Sequence, residues 1–411
     1  MLRYGYLATA AQEAGHEVLH WAPTFRHGLK RHRFTADTRV SVTAKFQVQF
    51  VHAPGYARNA SLARLRAYRA LGRRLRELAE REQPPDVIVA AIPSLEWAEA
   101  AIDYGKAHSV PVVIDVRDLW PDVFLTALPH GVRSVGRFLL APYYQIARKS
   151  LSQADAITAV SETYLNWGLK FAGREMGAAD AVFPIGFEPR KTSEQIETAQ
   201  QVLSRHGIDP DRPLCLFAGR LEHSSDLETV LSAARRLASE SVDVQFVLCG
   251  DGSKKASLVR QAADLPNIHF PGWIDAESLQ TIASVSTIGL CAYAKDALQS
   301  LPNKPFEYMA AGLAIVSSLQ GELARVLEQQ RSGLTYHPGN AQELAHCIAQ
   351  LIRNPKQLTE MCDRSYHAWS AAYRSRDIYA RFVRFLEQLT ERRAKQPHEG
   401  PAPTDSKVYT V

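Results

Sequence analysis

No stretch of this sequence stays apolar for the roughly 18 residues that a membrane-spanning helix needs. Its opening, Met-Leu-Arg-Tyr-Gly-Tyr-Leu, lacks the charged segment and long apolar core of a secretory signal. Cysteine is scarce: the five present form no C-x-x-C pair and no metal-ligand spacing, which argues against a disulfide framework or a zinc site. Cys215, Cys249 and Cys291 fall in apolar, strand-like runs, where a thiol packs as a small hydrophobe. The cysteine pattern predicts a cytoplasmic protein from a reducing compartment. Charge is also modest, +5 overall, too little by itself to indicate a nucleic-acid partner. One further thing is missing. A doubly wound α/β domain normally begins with a strand and a glycine-rich turn, but here residues 2–14 read as a helix stopped by Gly15, with a strand over 17–21. We therefore expect a first domain that lacks its initial, central strand, because its start was assigned late or the chain is truncated.

What is present is a long alternation of strand and helix. At 411 residues the chain is too long for one core, so two domains of similar size are expected. After a basic, loop-like stretch at 25–33, residues 40–51 alternate as a β segment, and a helix spans 59–82. Further strands are predicted at 86–91, 111–116 and 156–160, with helices at 94–108, 132–152 and 162–171. The Pro/Gly-punctuated stretch 184–189 reads as a hinge. A second alternation follows, with strands at 214–218, 244–248, 268–270, 288–293, 314–318 and 333–336 and helices between them. Three helices close it, at 341–353, 356–373 and 377–393. The expected domains are thus 1–186 and 187–372, both α/β and facing a cleft, with a helix over 373–394 crossing back to the first. The polar, proline-bearing tail 395–411 is expected to be disordered.

The chemistry concentrates in Ser300-Leu-Pro-Asn-Lys-Pro-Phe-Glu-Tyr-Met-Ala-Ala-Gly312. Asn303 reads as an N-cap, Pro305 fits only a first helical turn, and Gly312 is a natural stop. The helix so bracketed starts at the carboxyl end of a buried strand, where free N–H groups and the helix dipole attract phosphate. Lys304 and Glu307 share one face, placing a cation and a carboxylate where a phosphate and a sugar hydroxyl could be held together. Gly219-Arg220 offers close backbone approach and a guanidinium suited to phosphate, and Gly272-Trp273 offers an edge for a flat ring. Together these residues suggest a nucleotide-diphosphate site; singly, each could be structural. In the first half, Asp115, Arg117, Asp118 and Asp122 gather at a strand exit. They suit hydroxyl activation or sugar binding, or else a local ion-pair network. The helix 59–82 carries Arg58, Arg64, Arg66, Arg69, Arg73, Arg74, Arg76 and Arg81 around an apolar stripe. It is either a solvated face or a dock for an anionic bilayer.

These motifs, above all Leu301-Pro-Asn-Lys-Pro-Phe-Glu-Tyr-Met-Ala-Ala-Gly312 with Gly321-Glu322, resemble glycosyltransferase family 4. Arg117-Asp-Leu-Trp-Pro-Asp122 and Gly15-His16-Glu-Val18 are similar to its bacterial, WbuB-like branch that builds O-antigen, colanic acid and capsule. The resemblance implies a GT-B fold of two Rossmann-like domains and transfer with retention of anomeric configuration, needing no metal and no other cofactor. The donor would be a nucleotide-diphosphate sugar, UDP-linked, and the acceptor a polyprenyl-linked saccharide met at the inner membrane. By position, Glu307 matches the second glutamate of the family's E-x7-E motif, which grips the donor ribose, while Gln299 stands in place of the first. Arg220 matches the arginine on the donor pyrophosphate, and its usual lysine partner is absent from Leu221-Glu-His-Ser-Ser225, leaving Lys304 to supply that charge. Arg117 lies where many members carry a histidine. Catalytic roles are thereby implied for Arg117, Asp118, Arg220 and Lys304, and donor binding for Gly219, Gly272, Trp273, Asn303 and Glu307. A GT-B nucleotide-sugar epimerase and a non-catalytic nucleotide-sugar binder are the alternative expectations.

Overall fold

A computed structural model describes residues 3–58, 61–126, 128–189, 199–394 and 407–410. The chain divides into two units, Met1–Pro184 with Arg376–Val411, and Ile185–Ser375. Each is a parallel α/β layer structure of the Rossmann type.

In the first unit, helix α1 (Arg3–Glu13) leads into β1 (Glu17–Pro23). The stretch expected as one β segment is an antiparallel pair, β2 (Thr38–Ser41) and β3 (Phe46–Val51). There follow α2 (Leu62–Ala79), β4 (Val87–Ile92), α3 (Leu95–His108) and β5 (Val112–Val116). The helix expected over 132–152 is broken into α4 (Arg133–Leu139) and α5 (Ala141–Ser152). Pro142 explains the break: it lacks the N–H to continue the first helix and suits the opening turn of the second. Then come β6 (Ala156–Ala159), α6 (Glu162–Ala172) and β7 (Ala181–Val182).

The second unit runs β8 (Leu214–Ala218), α7 (Leu227–Ser239), β9 (Gln245–Cys249), β10 (Ile268–Gly272), α8 (Ala276–Val285), β11 (Ile288–Cys291), α9 (Asn303–Ala310), β12 (Ala314–Ser317), α10 (Glu322–Gln330) and β13 (Gly333–Thr335). Its sheet order is β10-β9-β8-β11-β12-β13, parallel throughout. Every interior strand is fully buried, as expected of a sheet covered by helices on both faces. Two apolar clusters, one around Phe217 and Phe246 and the other around Phe306 and Met309, form its core.

The long helix α11 (Ser375–Ala394) packs on the first unit, joining Ile378, Tyr379, Phe382 and Leu386 to Leu7, Val18 and Val89. The tail then corrects the expectation of disorder. Lys407–Thr410 forms a strand, β14, in the middle of the first sheet, whose order is β2-β3-β1-β14-β4-β5-β6-β7. Residues 395–406 and 411 lie outside the described residues. Strand β14 runs parallel to both neighbours, pairing Val18 with Val408 on one side and Val87 with Val408 on the other. A sequence remote from the first domain thus supplies the central position that its opening residues do not. The short, polar flank hid this from a composition-based reading, although Val408 and Thr410 alternate correctly and both are buried.

Candidate functional site

The carboxyl edge of the second sheet is knitted together by backbone. Gly219 N–H donates to the Cys249 carbonyl at 2.9 Å, and Gly250 N–H to that of Gly272 at 2.7 Å. The loops after β8, β9 and β10 therefore touch main chain to main chain. A Cβ on Gly250 would fall 1.7 Å from the Gly219 oxygen, so only glycine allows this approach. At Gly219, a Cβ would lie 2.6 Å from Lys304 Cε and 2.8 Å from its Nζ. The glycine is what lets the Lys304 side chain cross the end of β8.

Lys304 enters from α9. Asn303 is not the cap, as had been expected, but the first helical residue; Pro302 holds the cap position and makes no side-chain cap bond. Ser300 instead turns the other way and donates to the buried Glu322 at 2.6 Å, tying the loop to the start of α10. That hydroxyl is thus committed to α10, and no side chain caps the first turn of α9. Helix α9 is anchored by Tyr308, whose hydroxyl accepts the Ala218 N–H at 2.9 Å. Gly289 makes room for that ring, since a Cβ there would meet it at 2.5 Å. With α9 so fixed, Lys304 Nζ sits 3.8 Å from the Phe217 ring centre and 5.0 Å from that of Tyr293. Among the described residues no carboxylate reaches it within ion-pair distance. Burial lowers its pKa to about 8, against a smaller upward pull from Glu307. Burial likewise raises Glu307, with Lys304 pulling it back. A desolvated cation, a desolvated carboxyl and an uncapped helix start therefore share one recess, an arrangement suited to an anionic ligand that also carries hydroxyls.

Other residues named from sequence lie at this edge but differ in state. Arg220 is exposed and bound to Glu222 at 3.1 Å. Trp273 and Asn303 are exposed. Gly272 has φ +81° and faces Lys255, whose Nζ would be 3.0 Å from a Cβ. Phe217, Tyr293 and Tyr308, which hold Lys304 and its helix, were missed. Their signal is in the sequence: Phe217 lies near the end of one buried strand, Tyr293 just past another, and Tyr308 in the Lys304 helix itself.

In the first unit the expected cluster comes apart. Asp115 is fully buried and receives both Arg3 Nε at 2.8 Å and Arg3 Nη2 at 2.9 Å, with Tyr4 and Thr158 hydroxyls at 2.8 and 2.9 Å. Its paired guanidinium holds its carboxyl below the usual range despite burial. Asp122 accepts from the Trp167 indole at 2.8 Å and the Tyr144 hydroxyl at 2.5 Å. Asp115 thus pairs with a distant residue and Asp122 with two neutral groups, so neither forms the local ion-pair network that was the alternative expectation. Arg117 and Asp118 remain. The Arg117 guanidinium lies 5.1 Å from the Tyr4 ring centre, and its Nε is buried without a hydrogen-bond partner. Asp118 accepts from Leu119 N–H at 2.9 Å, and burial raises its pKa. At the carboxyl ends of β1, β3 and β4, Phe25, His27, Tyr56, Tyr68 and Trp97 line a cavity of about 80 Å³. Among the described residues no cluster of histidine, cysteine, aspartate and glutamate could hold a metal ion. No helix there is long and apolar enough to cross a membrane.

Both halves of the chain match known protein families. A family model described as "Glycosyl transferase 4-like domain" matches residues 3–167, and one described as "Glycosyl transferases group 1" matches 212–354. Together they cover about three quarters of the chain. The chain is 23% identical to the putative colanic acid biosynthesis glycosyl transferase WcaI of Escherichia coli K12, over 69% of this chain and 70% of that protein. It is 23% identical to the putative teichuronic acid biosynthesis glycosyltransferase TuaC of Bacillus subtilis, over 73% and 69%. Several other curated relatives are matched over only about half their length. Among solved structures, sucrose-phosphate synthase from Thermosynechococcus elongatus superposes with a TM-score of 0.71 at 16% identity, covering 94% of this chain and 92% of that one. Likenesses of this kind place the fold as GT-B. Neither the epimerase nor the non-catalytic binder is favoured by these matches.

Proposed function

We propose, from the premise of a GT-B glycosyltransferase of the family 4 type, that this chain moves a sugar from a nucleotide-diphosphate donor to a hydroxyl of a lipid-linked saccharide in surface-polysaccharide synthesis. The observation that carries the reading is the Lys304 recess: an ammonium held over Phe217 and Tyr293, against Gly219, at the uncapped start of α9. In this reading the donor pyrophosphate takes the α9 N–H groups and Lys304, Arg220 releases Glu222 to join it, and Glu307 accepts ribose hydroxyls. As the glycosidic bond breaks, the departing diphosphate gains charge and the sugar becomes oxocarbenium-like, so fixed cations lower the barrier without a metal. Retention of configuration and a UDP donor belong to the same proposal.

The acceptor belongs to the first unit. Arg117 and Asp118, at the exit of β5, are placed to orient the hydroxyl, and the aromatic cavity offers ring faces to a saccharide. The test is release of nucleotide diphosphate from a panel of UDP-, GDP- and dTDP-sugars. Replacing Lys304 with alanine is expected to lower turnover about 100-fold, the usual effect of removing one charge-stabilising donor. Glu307→Ala is expected to raise donor KM chiefly. Near-normal turnover in the Lys304 variant would remove the proposal's basis.

A further inference from the structure

Helix α4 is poorly attached to the body of the first unit. Among Arg133–Leu139 only Gly136 is buried, seated against Leu125 and Leu128. Around that single contact the segment exposes four large apolar side chains: Val132 at 45%, Val135 at 60%, Phe138 at 79% and Leu139 at 71%. A soluble surface tolerates such residues singly, but four within eight positions form a patch that needs a partner.

The neighbouring charge says which partner. Arg137 is exposed and lies 5.8 Å from the Tyr144 ring centre, and Arg133 is held by the Leu128 carbonyl at 3.2 Å. Helix α2 carries further arginines, one of which, Arg69, acts electrostatically on Tyr143 at the start of α5. On that helix Arg74 and Arg76 are bound to carboxylates, Arg74 to Asp37 at 2.7 Å and Arg76 to Asp103 at 3.0 Å. Arg66 and Arg73 are exposed, Arg66 one turn from Leu62, which is 70% exposed. Apolar residues flanked by arginines, with no acidic residue in 128–141, match the boundary between acyl chains and anionic headgroups.

We propose that residues 132–139 are an interfacial anchor: Val132, Val135, Phe138 and Leu139 enter the outer part of an anionic bilayer while Arg133, Arg137 and the α2 arginines lie among its headgroups. The anchor follows the β5 exit that carries Arg117 and Asp118, so it would bring the acceptor side of this unit to the surface where a lipid-linked acceptor resides. That last step rests on the proposed function; the anchoring itself does not. It also extends membrane contact beyond α2, where Arg74 and Arg76 are engaged by carboxylates, to a patch with an apolar component.

The test is flotation of the full chain with phosphatidylcholine vesicles, with and without phosphatidylglycerol. Binding is expected only when phosphatidylglycerol is present. The double variant Phe138→Glu, Leu139→Glu is expected to weaken it by more than about 30-fold, since each such side chain contributes roughly tenfold. Arg133→Gln with Arg137→Gln should weaken it by a smaller factor that shrinks at high salt. In Phe138→Trp, the emission of the introduced indole should shift to the blue on adding anionic vesicles. The anchor is overturned if the double glutamate variant floats like the parent, if the emission of the F138W variant stays unchanged, or if the patch instead drives concentration-dependent self-association that the same substitutions abolish. Calorimetry with UDP on the double variant keeps the two questions apart: intact donor binding with lost flotation supports the anchor, and failed donor binding in the parent speaks only against the proposed function.

Discussion

The two sheets solve the same architectural problem in different ways. The second is built from one uninterrupted run of sequence, each strand followed by the helix that covers it, and its carboxyl edge is made of glycines and backbone hydrogen bonds. The first is assembled from distant parts. Its central strand comes from 407–410, its covering helix from Ser375–Ala394, and its core charge pair joins residue 3 to residue 115. What this teaches is that the second unit's stability should be local and robust, while the first depends on a few long-range contacts whose removal is costly.

The largest expected effect is therefore at Arg3. Replacing it with methionine leaves Asp115 charged and unpaired in a fully buried position, which typically costs about 3–5 kcal/mol. Urea unfolding followed by probes in each unit should show the loss in the first only. Because Asp115 is held below its ordinary pKa, this stabilisation is present at neutral pH and is lost as pH falls through that lowered value. A cost below about 1 kcal/mol would mean the pair is not a keystone.

Deleting residues 407–411 comes next. It removes the buried Val408 and the ladder bonds on both sides of β14, together worth about 3–4 kcal/mol. Amide exchange in β1 and β4 should accelerate, while β8 and β9 stay protected. Equal protection with and without the segment would show that the first sheet does not need it.

Somewhat smaller is Glu96, at the start of α3, whose buried carboxyl oxygens find no hydrogen-bond partner in another residue. Burial raises its pKa from 4.5 to about 7. The folded state keeps a proton that the unfolded chain has lost in this interval, so stability falls as pH rises across it, by up to about 3 kcal/mol. Glu96→Gln should flatten that slope in the first unit and leave the second unchanged; an unaltered slope would place the titration elsewhere.

This contrast also explains what the sequence made legible. The α/β alternation, the break between the halves and the Ser300–Gly312 unit are local patterns, and local patterns determine local structure in a parallel sheet with short crossovers. Lys304 and Glu307 could be placed on one helix face from spacing alone. The state of Arg220 could not, because its partner Glu222 competes with any ligand for the same guanidinium. Asp115 looked chemical beside Arg117 and Asp118 because nothing near it in sequence reveals Arg3. Likewise the sequence of β14 resembles a polar tail, because only pairing with β1 and β4 makes four residues a strand. Long-range partners, not unfamiliar motifs, were the obstacle.

The central claim is that Lys304 grips a diphosphate, and calorimetry with UDP near and above pH 8 tests it most directly. Free Lys304 titrates at about 8, below its ordinary 10.5, because burial disfavours its charge. A bound diphosphate restores the charged form, so binding should draw in a proton, visible as heat that varies with the buffer's ionisation enthalpy. Affinity should weaken as pH rises from about 8 toward 10.5, and Lys304→Met should abolish both effects. Binding with no proton uptake, or of unchanged affinity in the methionine variant, would contradict the account.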